Sequence, residues 1–366
     1  MKHYSSYITA QSYYKDCKRK SVVQIFIEQL FLIFKYGDFE PFYFTYGFDR
    51  KSMSMKEMCS SYIIPYNCFQ RKVDKLNTIN PKYGKYHGRS ITADKFYFNI
   101  FLNRFEIPTP RVLCFVKGEK AIYFDPKFAD IEGQTERQKL KEFFSKDMDA
   151  FAKPSDGQLG NGVFSLKIKD KQIYKDGCLT TLDDLLSVIC SADYLIQERI
   201  YQHPRLATLC STTLNSIRLQ TVITANGDII PFGAGLRIGR EGSSVDNWAK
   251  GGIFVGIDMQ TGKLFENGFL KPQYGTSTKR HLDSNIVFKD YEIPFFQEAV
   301  DLAVRLHTLM YRCHSVGWDI AITENGPVFI EGNGLWEISL VQAVHGGLKH
   351  VEKYWNMPMD TLLDKR

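Results

Sequence analysis

Apolar residues recur so densely over 21–36 that this stretch reads as one helix, amphipathic or buried, closed by Gly37. Its apolar run from Val22 to Phe34 is interrupted by Gln24, Glu28 and Gln29 and is too short to cross a bilayer. From 38 to 90 the apolar positions are largely aromatic and follow no period, so no elements are placed there. A second helix is predicted from Thr92 to Phe105, with Thr92 as cap, Asp94 in the first turn and Phe96, Ile100 and Phe101 as the inner stripe. Ile107-Pro108-Thr109-Pro110 stops it and leads to a strand over 112–116, and another helix is predicted over 135–146.

Beyond Phe151 the pattern changes to strands, predicted at 151–153, 163–169, 193–199, 215–224, 229–237 and 253–259. Thr181 to Asp184 resembles a capping box opening a helix that runs to about Cys190. Phe296, Val300, Ala303, Val304 and Leu306 recur at helical spacing after Pro294, and a strand pair over 316–322 and 327–331 follows. Long antiparallel strands with few helices predict an α+β fold rather than a doubly wound parallel sheet.

A length of 366 residues suggests two or three packed units, and the division expected is 1–90, 91–200 and 201–366. Charged residues at 24% exclude a disordered chain. The net charge of +6 is spread over the whole length, with one local run from Lys15 to Lys20, which speaks against a nucleic-acid binder. The 8 cysteines include no C-x-x-C pair, so neither a zinc site nor a disulfide framework is expected. The first 20 residues lack an apolar signal-peptide core, and a cytoplasmic protein is expected. Nothing in the composition sets an oligomeric state.

The strand pair carries the sharpest chemistry. Glu324-Asn325-Gly326 suits a three-residue hairpin loop with Gly326 in the left-handed region. That register sets Asp319 opposite Glu331, with Asn333 two residues on and on the same face. Opposed carboxylates repel unless a cation lies between them, and two carboxylates with an amide oxygen are hard ligands suited to Mg²⁺. The same residues also suit a hairpin whose acids face solvent.

Phe151 to Gly162 joins two strands through Gly157, Gly160 and Gly162, where backbone N–H groups can approach phosphate oxygens and Lys153 can add charge. The G-x-x-G-x-G spacing leads into a strand, so it is neither a P-loop nor a dinucleotide fingerprint. An ordinary flexible hairpin loop with a surface lysine is the other reading.

In order along the chain, these segments resemble the ATP-grasp superfamily, and in particular its sugar-transfer-associated family found with surface-polysaccharide genes. The matching pieces are Asp94-Lys95, Ile107 to Pro110, Lys153 to Gly162, Gln197 to Pro204, Leu214 to Arg218, Lys250 to Ile253, and Gly317 to Asp319 through Glu331 to Asn333. The resemblance implies ATP held between two α+β lobes. Lys95 and Lys153 would hold its phosphates, Gln197, Glu198 and Ile200 its adenine, and Asp319, Glu331 and Asn333 the Mg²⁺. Arg218, Arg237 and Lys250 are the implied catalytic contacts to the γ-phosphate and the intermediate. D-alanine–D-alanine ligases have an arginine where this chain has Gly317, so that anion-stabilising role would shift to one of these three. The implied reaction is carboxylate–amine ligation through an acyl phosphate, on small-molecule or sugar-linked acids and amines. A kinase acting on a hydroxyl and a non-catalytic nucleotide-binding module remain open. Simpler roles also suit single residues: Lys95 as a solvated first-turn lysine, Arg218 paired with an acid, His203 and Asn215 satisfying a loop, and Trp318 in the core.

Overall fold

The computed structural model describes residues 12–14, 16–80, 84–85, 89–128, 132–133, 135–155, 162–243, 246, 248–310 and 313–356. The first helix spans Val22–Tyr36: the Ser21 side chain accepts from the Gln24 N–H, and Gly37, at φ 82°, ends it by donating to Ile33 O. Among the described residues no helix is long and apolar enough to cross a membrane.

The described residues of 1–89, 202–327 and 332–366 form one compact unit, and those of 90–201 with 328–331 form another. In the first unit the sheet runs in the order Ser277–Thr278, Leu264–Phe269, Ile253–Ile257, Ile229–Ile238, Ser216–Ile223, Ser315–Thr323. Its strands from Ser277–Thr278 to Ser315–Thr323 pair antiparallel. The helix Phe296–Leu309 packs on Ile229–Ile238, Ser216–Ile223 and Ser315–Thr323, and Ser339–His345 packs on Ile229–Ile238, Ile253–Ile257 and Leu264–Phe269. Trp318, expected in the core, is fully buried and donates its indole N–H to Thr221 Oγ1 at 2.8 Å.

The aromatic stretch without period belongs to this same unit. Phe42, Tyr46, Phe48 and Tyr62 pack ring on ring, and Phe69 of the helix Tyr66–Thr78 meets Trp336 and Trp355. Buried amides tie it to the sheet. Gln342 accepts from Ile63 N at 2.7 Å and donates to Ile63 O at 3.1 Å. Asn77 donates to Ser315 O at 2.9 Å and accepts from Ser315 N at 3.1 Å. Asn77→Ala is therefore expected to strand a buried backbone donor and acceptor and to cost about 1–3 kcal/mol in urea unfolding. A loss within error of zero would mean water replaces the amide freely.

The second unit holds the sheet Lys120–Tyr123, Val112–Lys117, Asp193–Glu198, Met148–Pro154, Phe164–Lys169, Gln172–Lys175, Cys178–Thr180, again antiparallel throughout. Phe164, Leu166 and Ile168 alternate inward with Ser165, Lys167 and Lys169 outward, as a half-buried strand requires. Thr135 and Gln138 form a reciprocal capping box for the helix Glu136–Phe143. Thr181 caps Leu182–Ile189 by accepting from the Asp184 N–H. The α+β expectation is met.

One helix differs from its prediction. Instead of a single helix from Thr92, Ser90–Ala93 and Lys95–Arg104 are separated by Asp94, whose carboxylate accepts from both Phe96 N and Tyr97 N. Asp94, not Thr92, is the cap, because a carboxylate satisfies two of the first-turn donors at once. The buried face is Phe98, Asn99 and Leu102, while Ile100 is exposed and Phe96 and Phe101 are half-buried. Asn99 is drawn inward by two acceptors, Thr109 Oγ1 and Pro110 O, each at 2.9 Å.

Candidate functional site

In the second unit the first turn of Lys95–Arg104 and the end of Met148–Pro154 are joined by Lys95 N donating to Ser155 O at 3.0 Å. Lys95 Nζ stands 3.7 Å from Glu331 Oε1. Lys153 lies near both: burial pushes its ammonium down to about 8, Glu331 opposes that shift and the positive charge of Lys95 adds to it. The Lys153 backbone pairs with Leu195 in the sheet, and its ammonium feels the charges of Glu331 and Lys95. Two lysines and one carboxylate thus share a half-buried spot with one positive charge in excess. Such a spot suits an anion.

Gly157 and Gly160 lie outside the described residues. Gly162 has φ 73°, and a Cβ there would fall 2.9 Å from Pro154 Cγ, so the close turn requires glycine. Its carbonyl accepts from the Tyr194 hydroxyl at 3.1 Å. Gln197 is buried and donates to Pro110 O at 3.4 Å. The Glu198 N–H is held by Arg111 O at 2.9 Å, and its carboxylate pairs with Arg111 Nε at 3.1 Å. Ile200, expected on the same strand, lies past its end at Glu198.

In the first unit the register places Arg218 directly across from Asp319, and Arg237 across from Ser216. Arg218 Nε lies 2.9 Å from Asp319 Oδ1 and Arg237 Nη1 lies 3.1 Å from Oδ2. Asn333 Nδ2 donates to Asp319 Oδ2 and to Gly317 O, each at 3.3 Å. Burial pushes the Asp319 carboxyl up, and the Arg237 charge and hydrogen bond pull it back. Arg218 therefore is paired with an acid, one of the simpler roles the sequence allowed it.

Asp246 belongs to the same network and was missed in the sequence. It accepts from Ser216 N at 3.0 Å and from the Ser216 hydroxyl. Burial raises its carboxyl to about 6 against the pull of Arg237. A lone acid in a Gly- and Ser-rich loop carries no spacing signal. Lys250, by contrast, is exposed at the end of the turn Trp248–Lys250. His203 caps Pro204–Ala207, and Asn215 is buried with hydrogen bonds to Leu206 O and Cys210 O, so both serve their loop.

Gly317 has a steric reason. A Cβ there would stand 2.8 Å from Trp336 Cβ and 3.0 Å from Arg218 Nη1, which also reaches Gly317 O at 3.5 Å. Arg218 thus fills the space a side chain at 317 would need. The hairpin turn itself is shorter than expected, because the second strand begins at Gly326; the positive φ predicted there is present, at 107°.

The expected metal ligands are all hard oxygen donors, and each carboxylate already lies beside a cation, Asp319 by two guanidiniums and Glu331 by Lys95. That donor chemistry fits Mg²⁺. Among the described residues no three His, Cys, Asp or Glu side chains gather into a metal-holding group.

A family model described as sugar-transfer associated ATP-grasp matches residues 77–354, more than half of the chain. The chain belongs to this ATP-grasp family. Solved structures similar to this ATP-grasp chain include an ADP complex of N5-carboxyaminoimidazole ribonucleotide synthetase, at 10% identity over 74% of this chain and 53% of that one, TM-score 0.39. An L-amino acid ligase from Bacillus licheniformis is similar at 10% identity over 75% and 49%, TM-score 0.38. D-alanyl-alanine synthetase A from Vibrio cholerae is similar at 15% identity over 76% and 66%, TM-score 0.40. The ATP-grasp chain spans about half the length of the first two. Comparison with curated proteins finds no match.

Proposed function

We propose that this ATP-grasp chain is an ATP- and Mg²⁺-dependent carboxylate–amine ligase acting in polysaccharide or sugar-conjugate synthesis, in the cytoplasm where ATP is held. The observation that carries it is Lys153, half-buried beside Lys95 with one carboxylate between two cations: a polyphosphate supplies the missing negative charge. Family membership supports ATP as that polyphosphate.

In the proposed reaction an oxygen of the substrate carboxylate attacks the γ-phosphorus, the bond to the bridging oxygen breaks and ADP leaves. An amine nitrogen then attacks the acyl carbon, the C–N bond forms, phosphate departs with the C–O electron pair and the amine loses a proton. No protein nucleophile is needed, so the chain's task is positioning and charge stabilisation. Lys95 and Lys153 hold phosphate oxygens. Arg218 and Arg237 face the charge that develops on the transferring group and on the acyl phosphate. Asp319, Glu331 and Asn333 would hold Mg²⁺, which when bound neutralises phosphate charge. Gln197, Glu198 and Ile200 remain the proposed adenine contacts.

The test is release of ADP and phosphate from candidate sugar-linked acids, with and without amines. Phosphate release that depends on both acid and amine is expected. A phosphorylated product formed without any amine would make the chain a kinase. Failure of the purified protein to bind Mg-ATP would leave only a non-catalytic role.

A further inference from the structure

The helix Val22–Tyr36 buries Leu32 and packs Ile25 and Tyr36 on the core, yet leaves most of its apolar side chains on the opposite face. Its buried side carries a carboxylate: Glu28 pairs with the buried Lys20 Nζ at 2.8 Å and accepts from the Tyr43 hydroxyl. Gln29 adds two hydrogen bonds to the Glu40 backbone, at 3.0 and 2.9 Å. These contacts fix the helix firmly, so its outward face is presented by design of the packing. That face is apolar: Val22 is 83% exposed, Phe26 61%, Ile27 58% and Phe34 86%, with Val23 and Phe31 between them. At 100° per residue these positions sweep about half the helix circumference over four turns, and Gln24 and Lys35 lie outside that arc. Contiguous exposed apolar faces of this kind mark interaction sites.

Charge around the patch selects its occupant. Exposed Lys18 and Lys51 stand at the N-terminal end, where Lys51 N donates to Lys18 O at 2.8 Å; Arg19 beside them pairs with the buried Asp49 at 3.0 Å, and exposed Lys35 stands at the C-terminal end. The exposed acids nearby in sequence are Asp16 and Glu57, fewer than the bases, among which Lys56 also counts. A second copy docked through this face would set bases against bases, whether the two helices ran parallel or antiparallel, at a cost in like-charge repulsion. An anionic lipid leaflet satisfies both features, taking the apolar side chains into the acyl boundary and the cations among its headgroups. We propose that the Val22–Tyr36 helix lies flat in an acidic membrane surface and docks this chain there as a peripheral protein.

Co-sedimentation of the full chain with vesicles tests this, using phosphatidylcholine alone or mixed with phosphatidylglycerol. Binding to the mixed vesicles at least about ten-fold tighter than to the neutral ones is expected, weakening in high salt. The variant carrying Phe26→Asp and Phe34→Asp should lose that binding with an unchanged melting temperature, since both rings are exposed. In the variant Phe34→Trp, a blue shift of the indole emission should appear with the mixed vesicles. The proposal is overturned if the wild-type chain ignores both vesicles, if the double variant binds as well as wild type, or if sedimentation shows a dimer that the double variant dissociates.

Discussion

Lys153→Ala is expected to lower kcat/KM for ATP by on the order of 10²-fold or more, the scale for removing one preorganised charge from a phosphoryl or oxyanion site. Lys95 remains beside Glu331 in that variant, so the fold should survive. The pH profile separates a phosphate-holding role from a structural one. Burial pushes the Lys153 ammonium from 10.5 down to about 8, so the free enzyme holds the charged form below that value and the neutral amine above it. If the charge holds phosphate, kcat/KM for ATP should fall as pH rises through about 8. Stability should move the opposite way. Between about 8 and 10.5 the unfolded chain binds the proton that the folded chain has released, so this residue's contribution rises with pH across that window. Lys153→Arg keeps its charge throughout and should shift the activity limb to higher pH. A wild-type limb unchanged in both variants would remove Lys153 from the phosphate site.

Asp319→Ala is expected to have the largest effect on stability. Arg218 and Arg237, whose side chains are 18% and 19% exposed, would lose the carboxylate between them. Removing the shared acid of such a largely buried ion-pair network costs about 3–5 kcal/mol, readable as a lower urea midpoint. Asp319→Asn keeps the volume and one acceptor but not the charge, and should lose less stability than Asp319→Ala. It should nonetheless raise the Mg²⁺ concentration needed for half-maximal turnover by about ten-fold or more, because an amide is a weaker ligand than a carboxylate. Normal Mg²⁺ dependence in Asp319→Asn would confine Asp319 to orienting the two arginines.

Much of the fold could be read locally. Ser21 and Gly37 bound the first helix, Thr135 and Thr181 cap theirs, and Gly326 takes the positive φ at the hairpin. Each of these depends on a few neighbouring residues and the backbone donors they satisfy. The misjudged cap shows the limit of that kind of reading. Thr92 and Asp94 are both acceptable caps by type, and the choice went to Asp94 where one carboxylate meets two N–H groups. The aromatic stretch 38–90 could not be read, because its order comes from ring contacts and buried amides to residues such as Trp336 and Gln342.

The candidate site divides the same way. The sequence by itself determined the residue types and their order: Lys95, Lys153, Arg218, Arg237, Asp319, Glu331 and Asn333, on α+β elements whose motifs resemble ATP-grasp proteins. It also determined a helix over 21–36, which the structure starts at Val22. Only the tertiary structure decided that Arg218 and Arg237 bracket Asp319, that Asp246 joins them through Ser216, and that Lys153 loses its ordinary basicity. It alone showed Glu28 facing inward and Phe26 and Phe34 facing out. Helix and turn formation is settled by residues within one turn of each other, whereas pairing of charges and choice of the buried face depend on strand register and packing between segments far apart in the chain.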